Sequence, residues 1–440
     1  MTESAEAGPV KGSAASRSGL SGRGNGRWGR YARALGPGLI TGASDDDPSG
    51  IATYSQAGAQ FGYSMLWTVV ATLPLMIAIQ LVSARIGYIT GRGLAANIRN
   101  GFPRWVLFAV VGMLMLANTL NISADIAAMG EALRLVLGGS SHVYAVTFGL
   151  LCLVLQVFLP YQTYVRGLKW LTLALLAYVA VVFSLHVDWW QIGAELLRLP
   201  HVRGHDMLLM AVAVFGTTIS PYLFFWQAGQ EMEGVAAGPG QPHDAAKTRR
   251  HLRRIRVDTI IGMTFSNLIA FFIIVSTAAT LHAAGITDIQ TSAQAAEALR
   301  PLAGNLTFLL FSLGIIGTGM LAVPVLAGSA AYAIAEAAGW QGSLSLRLDQ
   351  GEGRGFYGII AAATVGGVIL CFMPMDPVKE LVWAAVLNGV IAVPIMAVMM
   401  LLASRKATMG RHVIGTRLTT LGWFATAAMA LTVIAMFASY

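Results

Sequence analysis

The feature that most constrains this chain is a succession of apolar runs, each about long enough to cross a bilayer, with short polar segments between them. A helix needs about 20 residues to cross roughly 30 Å of hydrocarbon. Eleven runs qualify, near 36–56, 64–89, 105–137, 143–160, 165–186, 207–230, 257–282, 303–337, 355–373, 380–403 and 419–438. Backbone polar groups in lipid are satisfied only inside a helix or a closed barrel, and runs of this length fit helices better than the short strands of a barrel. The sequence therefore predicts an all-α integral membrane protein with about eleven transmembrane helices. Composition agrees, because 56% of residues are apolar and only 11% are charged, where a soluble domain carries about a quarter charged residues.

The basic residues test that count, since cytoplasmic loops hold the excess of Lys and Arg. With an inside N-terminus, only Arg134, Arg198, Arg203, Arg300 and Lys379 of the 29 Lys and Arg fall in outer loops. Eleven spans then place the N-terminus in the cytoplasm and the C-terminus outside, in a multi-pass protein of the cell (inner or plasma) membrane. The densest basic stretch, Lys247, Arg249, Arg250, Arg253, Arg254 and Arg256, falls in the loop after the sixth span. It reads as an inner-face anchor beside anionic lipid rather than a nucleic-acid site, despite the net charge of +8.

Residues 1–34 are rich in Gly, Ser, Ala and Arg and read as a disordered cytoplasmic tail without a cleavable signal. Residues 35–403 form the expected membrane-spanning core, and 404–440 a cytoplasmic loop with the eleventh helix. Cys152 and Cys371 lie inside apolar runs without a partner at metal-ligand spacing, so neither a disulfide framework nor a thiolate site is expected. No His-Glu-x-x-His pair and no phosphate-binding Gly loop occurs. The chain does not read as an enzyme, and it calls for no cofactor and no obligate protein partner.

The first span is interrupted by Thr41-Gly42-Ala43-Ser44-Asp45-Asp46-Asp47-Pro48-Ser49-Gly50, with three carboxylates at membrane depth. Each costs at least about 2.5 kcal/mol at a helix centre. Pro48 removes a backbone donor and Gly50 weakens the helix further, so freed carbonyls beside Asp45, Asp46 and Asp47 make an oxygen-rich place for a hard cation. The alternative is a first helix that starts later, leaving the aspartates in a surface loop or as an N-cap. The sixth span is interrupted at Gly216-Thr217-Thr218-Ile219-Ser220-Pro221-Tyr222. Broken spans at the first and sixth positions mark two inverted five-helix repeats, about 35–186 and 207–403, with a site between them.

In the third span Asn118, Asn121 and Asp125 share one helical face. They read either as an interhelical clasp or as the lining of an ion or proton path. Asn388, mid-span beside Gly389, reads equally as clasp or ligand. Glu336 and Asp258 fall at helix ends and are expected at the membrane interface.

The runs Gly36-Pro37-Gly38, Asp47-Pro48-Ser49-Gly50-Ile51-Ala52-Thr53 and Gln56-Ala57-Gly58-Ala59-Gln60-Phe61-Gly62-Tyr63 resemble the start of Nramp divalent-metal transporters. The likeness continues through Ala124-Asp125-Ile126, the sixth span and Gly339-Trp340. It implies the LeuT-type inverted repeat, alternating access and a midplane metal site between spans one and six. The family's metal-binding Asp corresponds to Asp47, its span-six carbonyl to that of Thr217, and its span-three acid linked to proton movement to Asp125.

The departures are specific. The family's Asn of the first motif is Gly50 here, its Met-Pro-His is Ser220-Pro221-Tyr222, and a span-three Glu is Ala128. The thioether is the soft ligand that favours Mn²⁺ or Fe²⁺ over Mg²⁺. Its loss resembles the Nramp-related magnesium transporters. The expectation is uptake of divalent metal cations, Mg²⁺ and Mn²⁺, with weak or no proton coupling, through Asp47, Asp46, Asp45, Thr217, Ser220 and Asn388. Asp125, Asn121, Asn118 and Tyr222 would line the pathway. Two alternatives remain: an ordinary proton-coupled Mn²⁺/Fe²⁺ symporter, and a sodium-coupled symporter of organic solutes, whose anionic substrates three aspartates would repel.

Overall fold

The computed structural model describes residues 41–42, 44–159, 172–197, 204–236, 245–340, 342–344, 353–373 and 376–439. The expected N-terminal tail and the start of the fifth span lie outside the described residues, within which every regular element is helical. Among the described residues, eight helical stretches are long and apolar enough to cross a membrane. The expected eleven separate into these eight for three reasons. Pro48–Thr90 takes in the second half of span one together with span two, Arg354–Leu370 is short, and the fifth span is bent.

The labelled helices are α1 (Pro48–Phe61), α2 (Leu66–Thr90), α3 (Leu94–Gly101), α4 (Arg104–Leu137), α5 (Ser141–Phe158), α6 (Leu176–Ser184) and α7 (Trp189–Leu197). The second half of the chain supplies α8 (His205–Thr218), α9 (Pro221–Ala236), α10 (Ala245–Thr277), α11 (Thr307–Ala338), α12 (Arg354–Leu370), α13 (Pro377–Ser404) and α14 (Thr416–Ala438). α4 packs along α5, α11, α12 and α13, while α1 lies against α8, α10 and α13. In lipid these contacts rest on close packing and interhelical hydrogen bonds, because the solvent is as apolar as the side chains.

Two expectations change. The Lys247–Arg256 segment is not a loop but the opening turns of α10, which begins about three turns before its apolar part. Asp258 lies well inside α10 rather than at a helix end, and both it and Glu336, which does fall near the end of α11, are buried. Glu336, near the end of α11, accepts the Ala96 backbone N–H at 3.1 Å and lies so close to Gly93 that any side chain there would collide with it. It thus supplies the N-terminus of α3 with the acceptor that its own glycine cap lacks.

The fifth run ends at Ser184, where the chain turns by 114° into α7. Asp188 caps α7, accepting from the Trp190 and Gln191 backbone N–H groups at 2.9 and 3.1 Å. Trp189 and Trp190 stay exposed on it, as indoles do at a membrane–water boundary.

Candidate functional site

The two interruptions meet. Thr41, Gly42, Ser44 and Asp45 are helical, the helix is broken at Asp46 and Asp47, and the chain resumes as α1 at Pro48. Asp47 is the N-cap: its backbone is extended and its Oδ1 accepts the Gly50 backbone N–H at 2.6 Å. Pro48 suits the first helical position because its missing N–H would have had no partner there. The N-cap expected as an alternative is therefore present, but inside the protein: Asp47 is 1% exposed.

The second interruption leaves Ile219 and Ser220 between α8 and α9. The Ser220 hydroxyl turns back to the carbonyls of Gly216 and Thr217 at 2.8 and 2.7 Å, groups that the break deprives of helical partners. One residue into α9, the Tyr222 phenol reaches the Ser44 carbonyl at 3.0 Å and Asp47 Oδ2 at 3.2 Å. Tyr54 of α1 and Thr218 of α8 join through their hydroxyls at 3.0 Å. A Cβ on Gly216 would collide with the Ala385 carbonyl oxygen and the Gly389 backbone, so two glycines let α8 and α13 cross in backbone contact.

Gly50 faces both breaks. A Cβ built on it would stand 3.3 Å from Thr217 Oγ1 and 3.4 Å from both the Asp45 carbonyl and Asp47 Oδ1. Any larger residue therefore has to push its side chain into the space between Asp47 and Thr217.

The three aspartates diverge. Asp47 points to Tyr222 and Gly50, whereas Asp45 Oδ2 and Asp46 Oδ1 accept from one hydroxyl, that of Ser266 on α10, at 2.6 and 3.0 Å. Asp45 Oδ1 has no hydrogen-bond partner. Neither the ion pairs Arg134–Glu131 and Arg300–Glu297 nor the His251–Glu231 contact involves an aspartate of the break. Among those residues, too, no three His, Cys, Asp or Glu side chains converge as a metal cage. Burying a carboxylate without a cationic partner costs several kcal/mol if it is ionised.

The third-span stripe divides. Asn118 donates to the Leu326 carbonyl and the Ser329 hydroxyl of α11 at 2.9 and 2.7 Å. Asn121 and Asn388 exchange both amide hydrogen bonds, at 2.9 and 3.1 Å, and clasp α4 to α13. Asp125 differs. It is fully buried, and the Ser49 backbone N–H faces it without closing a hydrogen bond.

The sequence reading missed Ser266 and Glu380. Ser266-Asn267 is a polar pair inside an apolar run, and Glu380 stands at the first turn of a span, so each carried a signal that resembled ordinary helix-end or packing polarity.

A family model described as "Nramp: Natural resistance-associated macrophage protein-like" matches residues 38–439. The chain is 26% identical over 387 residues to the divalent metal cation transporter MntH of Acidiphilium cryptum, covering 85% of this chain and 83% of that protein. It is 29% identical over 295 residues to MntH of Aeromonas hydrophila, covering 65% and 69%. In structure it is similar to the Eremococcus coleocola manganese transporter in complex with an aromatic bis-isothiourea substituted compound. That likeness has a TM-score of 0.74 at 18% identity and covers 95% and 89% of the two chains. It is also similar to Mhp1, a nucleobase-cation-symport-1 family transporter in a closed conformation, with a TM-score of 0.57 at 13% identity and 92% coverage of each chain. At these identities the solved structures share the fold, an all-α membrane transporter architecture.

Proposed function

From the premise that this chain belongs to the Nramp family, we propose that it carries divalent metal cations across a bilayer by alternating access around its two broken helices. One observation carries the reading. Asp47 is buried where the breaks touch, its oxygens are aimed by Gly50 and Tyr222, and it has no cationic partner among the described residues. The metal is cargo, not cofactor, and no residue is assigned catalysis.

The cargo we assign is Mg²⁺, with Mn²⁺ carried as well. Mg²⁺ dehydrates reluctantly, keeps several waters and needs only one or two carboxylates. Asp47 and the Thr217 carbonyl are the direct ligands. That carbonyl already accepts from Ser220 but retains a second lone pair. Asp45 and Asp46 add negative field and water-mediated contact from the Ser266 side. Asn388 joins only when it leaves Asn121. Gly50 and Ser220 support this choice, because the first leaves room for water and the second offers a hydroxyl where a thioether would select softer metals.

Proton coupling is weak or absent in this reading, since Tyr222 and Ala128 occupy the positions of the family's His and Glu. Asp125 favours the alternative, a proton-coupled Mn²⁺/Fe²⁺ symporter, because it is a buried carboxylate beside Asp47. The protein is placed in the cell membrane with its N-terminus inside and its C-terminus outside, on the strength of the Lys and Arg distribution.

Purified protein in liposomes tests the proposal. Entry of both Mg²⁺ and Mn²⁺ above that of empty vesicles is the expected result. Mn²⁺ entry indifferent to millimolar Mg²⁺ would remove the magnesium assignment, and entry of neither would remove transport.

A further inference from the structure

We propose that the segment from His282 to Ser292 is a strap that closes the outer end of the ion path, with Gln56 as its latch and Ile289 as its plug. This rests on the transport reading above and adds to it the element that must lift before a cation enters.

α1 begins at the Asp47 cap and ends at Phe61, beside the end of α10 that is remote from its basic turns, so the half of span one beyond the break leads to the outer surface. The strap starts there. A Cβ on Gly58 would collide with the Thr277 side chain and the Ile274 carbonyl, so α1 and α10 approach closely at this point. Just beyond, His282 Nδ1 lies 2.8 Å from the Ala59 carbonyl oxygen, and Gly285 turns the chain with a φ of 79°. The other end is fixed at Thr291. Its hydroxyl accepts the Gln294 N–H at 3.3 Å while Gln294 Oε1 accepts the Thr291 N–H at 3.2 Å, a capping box that opens the short helix Ser292–Ala296.

Between these ends a side chain of α1 holds the strap's backbone. Gln56 Nε2 donates to the Thr287 carbonyl at 3.2 Å, and Gln56 Oε1 accepts the Ile289 N–H at 2.9 Å. The amide thus gives two backbone groups of an irregular segment the partners that a helix or sheet would otherwise supply. This clamp sets Ile289. Its neighbours Thr287, Asp288 and Gln290 are exposed, yet Ile289 itself is 1% exposed. It lines a void of about 10 Å³ with Ile51 and Ala52 of α1, Ala128 of α4, Phe311 of α11 and Leu381 of α13. That is about the space of one water molecule, too little for a hydrated cation. A cavity of about 370 Å³ lies against the same segment, lined by Gln290, Thr291, Asp376 and Glu380 among others, and Ser292 borders both spaces. The strap therefore separates a roomy cavity from an apolar constriction on α1. One isoleucine dipped from an exposed segment into a junction of four helices, and held there by one amide, can be withdrawn without unwinding any of them.

The accessibility of a thiol behind the plug tests this. Ala52→Cys places one on the wall of the void, in a Cys371→Ala background that keeps Cys152, buried in α5, as a reporter of general loosening. Purified protein in detergent is treated with a charged thiol reagent, and labelling at each site is followed by peptide mass. Adding Gln56→Leu is expected to speed labelling of the Ala52→Cys site about tenfold and to leave Cys152 unlabelled. That is the shift which losing the net worth of about one hydrogen bond gives to an open–closed equilibrium. An unchanged rate overturns the proposal, and so does a rise matched at Cys152. Ile289→Ala keeps the latch and thins the plug should Gln56→Leu fail to fold. Faster labelling of the Ala52→Cys site in that variant supports the proposal, and an unchanged rate overturns it. Mn²⁺ uptake by the wild type is measured separately in liposomes. Wild-type protein that moves no metal removes the transport reading itself, whereas active wild type with unchanged labelling in the variants removes the strap alone.

Discussion

The Tyr222 phenol and the Asp47 carboxylate, 175 residues apart in sequence, meet at 3.2 Å across the two helix breaks. One comes from the turn after Pro221, the other from the cap before Pro48, so each proline positions a partner of the other break. The contact sets the orientation of Asp47 Oδ2 while Gly50 sets that of Oδ1.

Removing the carboxylate should abolish function. Asp47→Ala is expected to reduce metal uptake to that of empty liposomes while the protein still elutes as a single folded species on gel filtration. Tyr222→Phe deletes only the orienting hydroxyl, and the expected cost is about tenfold in metal affinity, the scale seen when a partner of a metal ligand is lost. Titration calorimetry with Mn²⁺ separates the two.

Selectivity should respond to the two departures from the family pattern. Ser220→Met brings a thioether to the break, and Gly50→Asn fills the space between Asp47 and Thr217. The double variant is expected to keep Mn²⁺ uptake and to become insensitive to competing Mg²⁺. Equal inhibition by Mg²⁺ in the variant and the wild type would show that these positions do not set the preference.

The amide pair Asn121–Asn388 should behave as a clasp between α4 and α13. Asn121→Ala leaves a buried amide unpaired, and the expected loss is about 0.6 to 2 kcal/mol of stability, the range for hydrogen bonds between membrane helices. Replacing both by Leu should recover part of it. Thermal unfolding in detergent, run as a double-mutant cycle, checks this.

Metal entry should proceed without proton entry. A pH-sensitive dye trapped in the vesicles is expected to stay constant during Mn²⁺ uptake, and acidification that tracks the metal would restore the symport alternative.

Much of this architecture was legible in the sequence because lipid imposes length and polarity on every span. The interruption at Asp45, Asp46 and Asp47 stood out for the same reason: carboxylates at that depth are costly enough to be conspicuous. What the sequence withheld was the partner of each polar group. Asn118, Asn121 and Asp125 share a face by spacing alone, yet two are taken up by neighbouring helices and the third is not. Spacing also placed the basic cluster in a loop, where α10 continues through it, because a charged helical extension beyond the membrane has no apolar periodicity to announce it. Ser266 escaped notice since one hydroxyl in a long apolar helix ordinarily bonds its own backbone, and here it bridges two acids instead.

Glu336 ties the end of α11 to the start of α3, elements from opposite halves of the chain. A carboxylate seated on another helix's exposed amides acts as a rivet between them, and the glycine beneath it leaves no slack. In the alternating access proposed above, this corner is the expected fixed point between the two halves. The bending expected in that proposal falls to the joints at Asp46–Asp47 and Ile219–Ser220, where the regular helix is already interrupted.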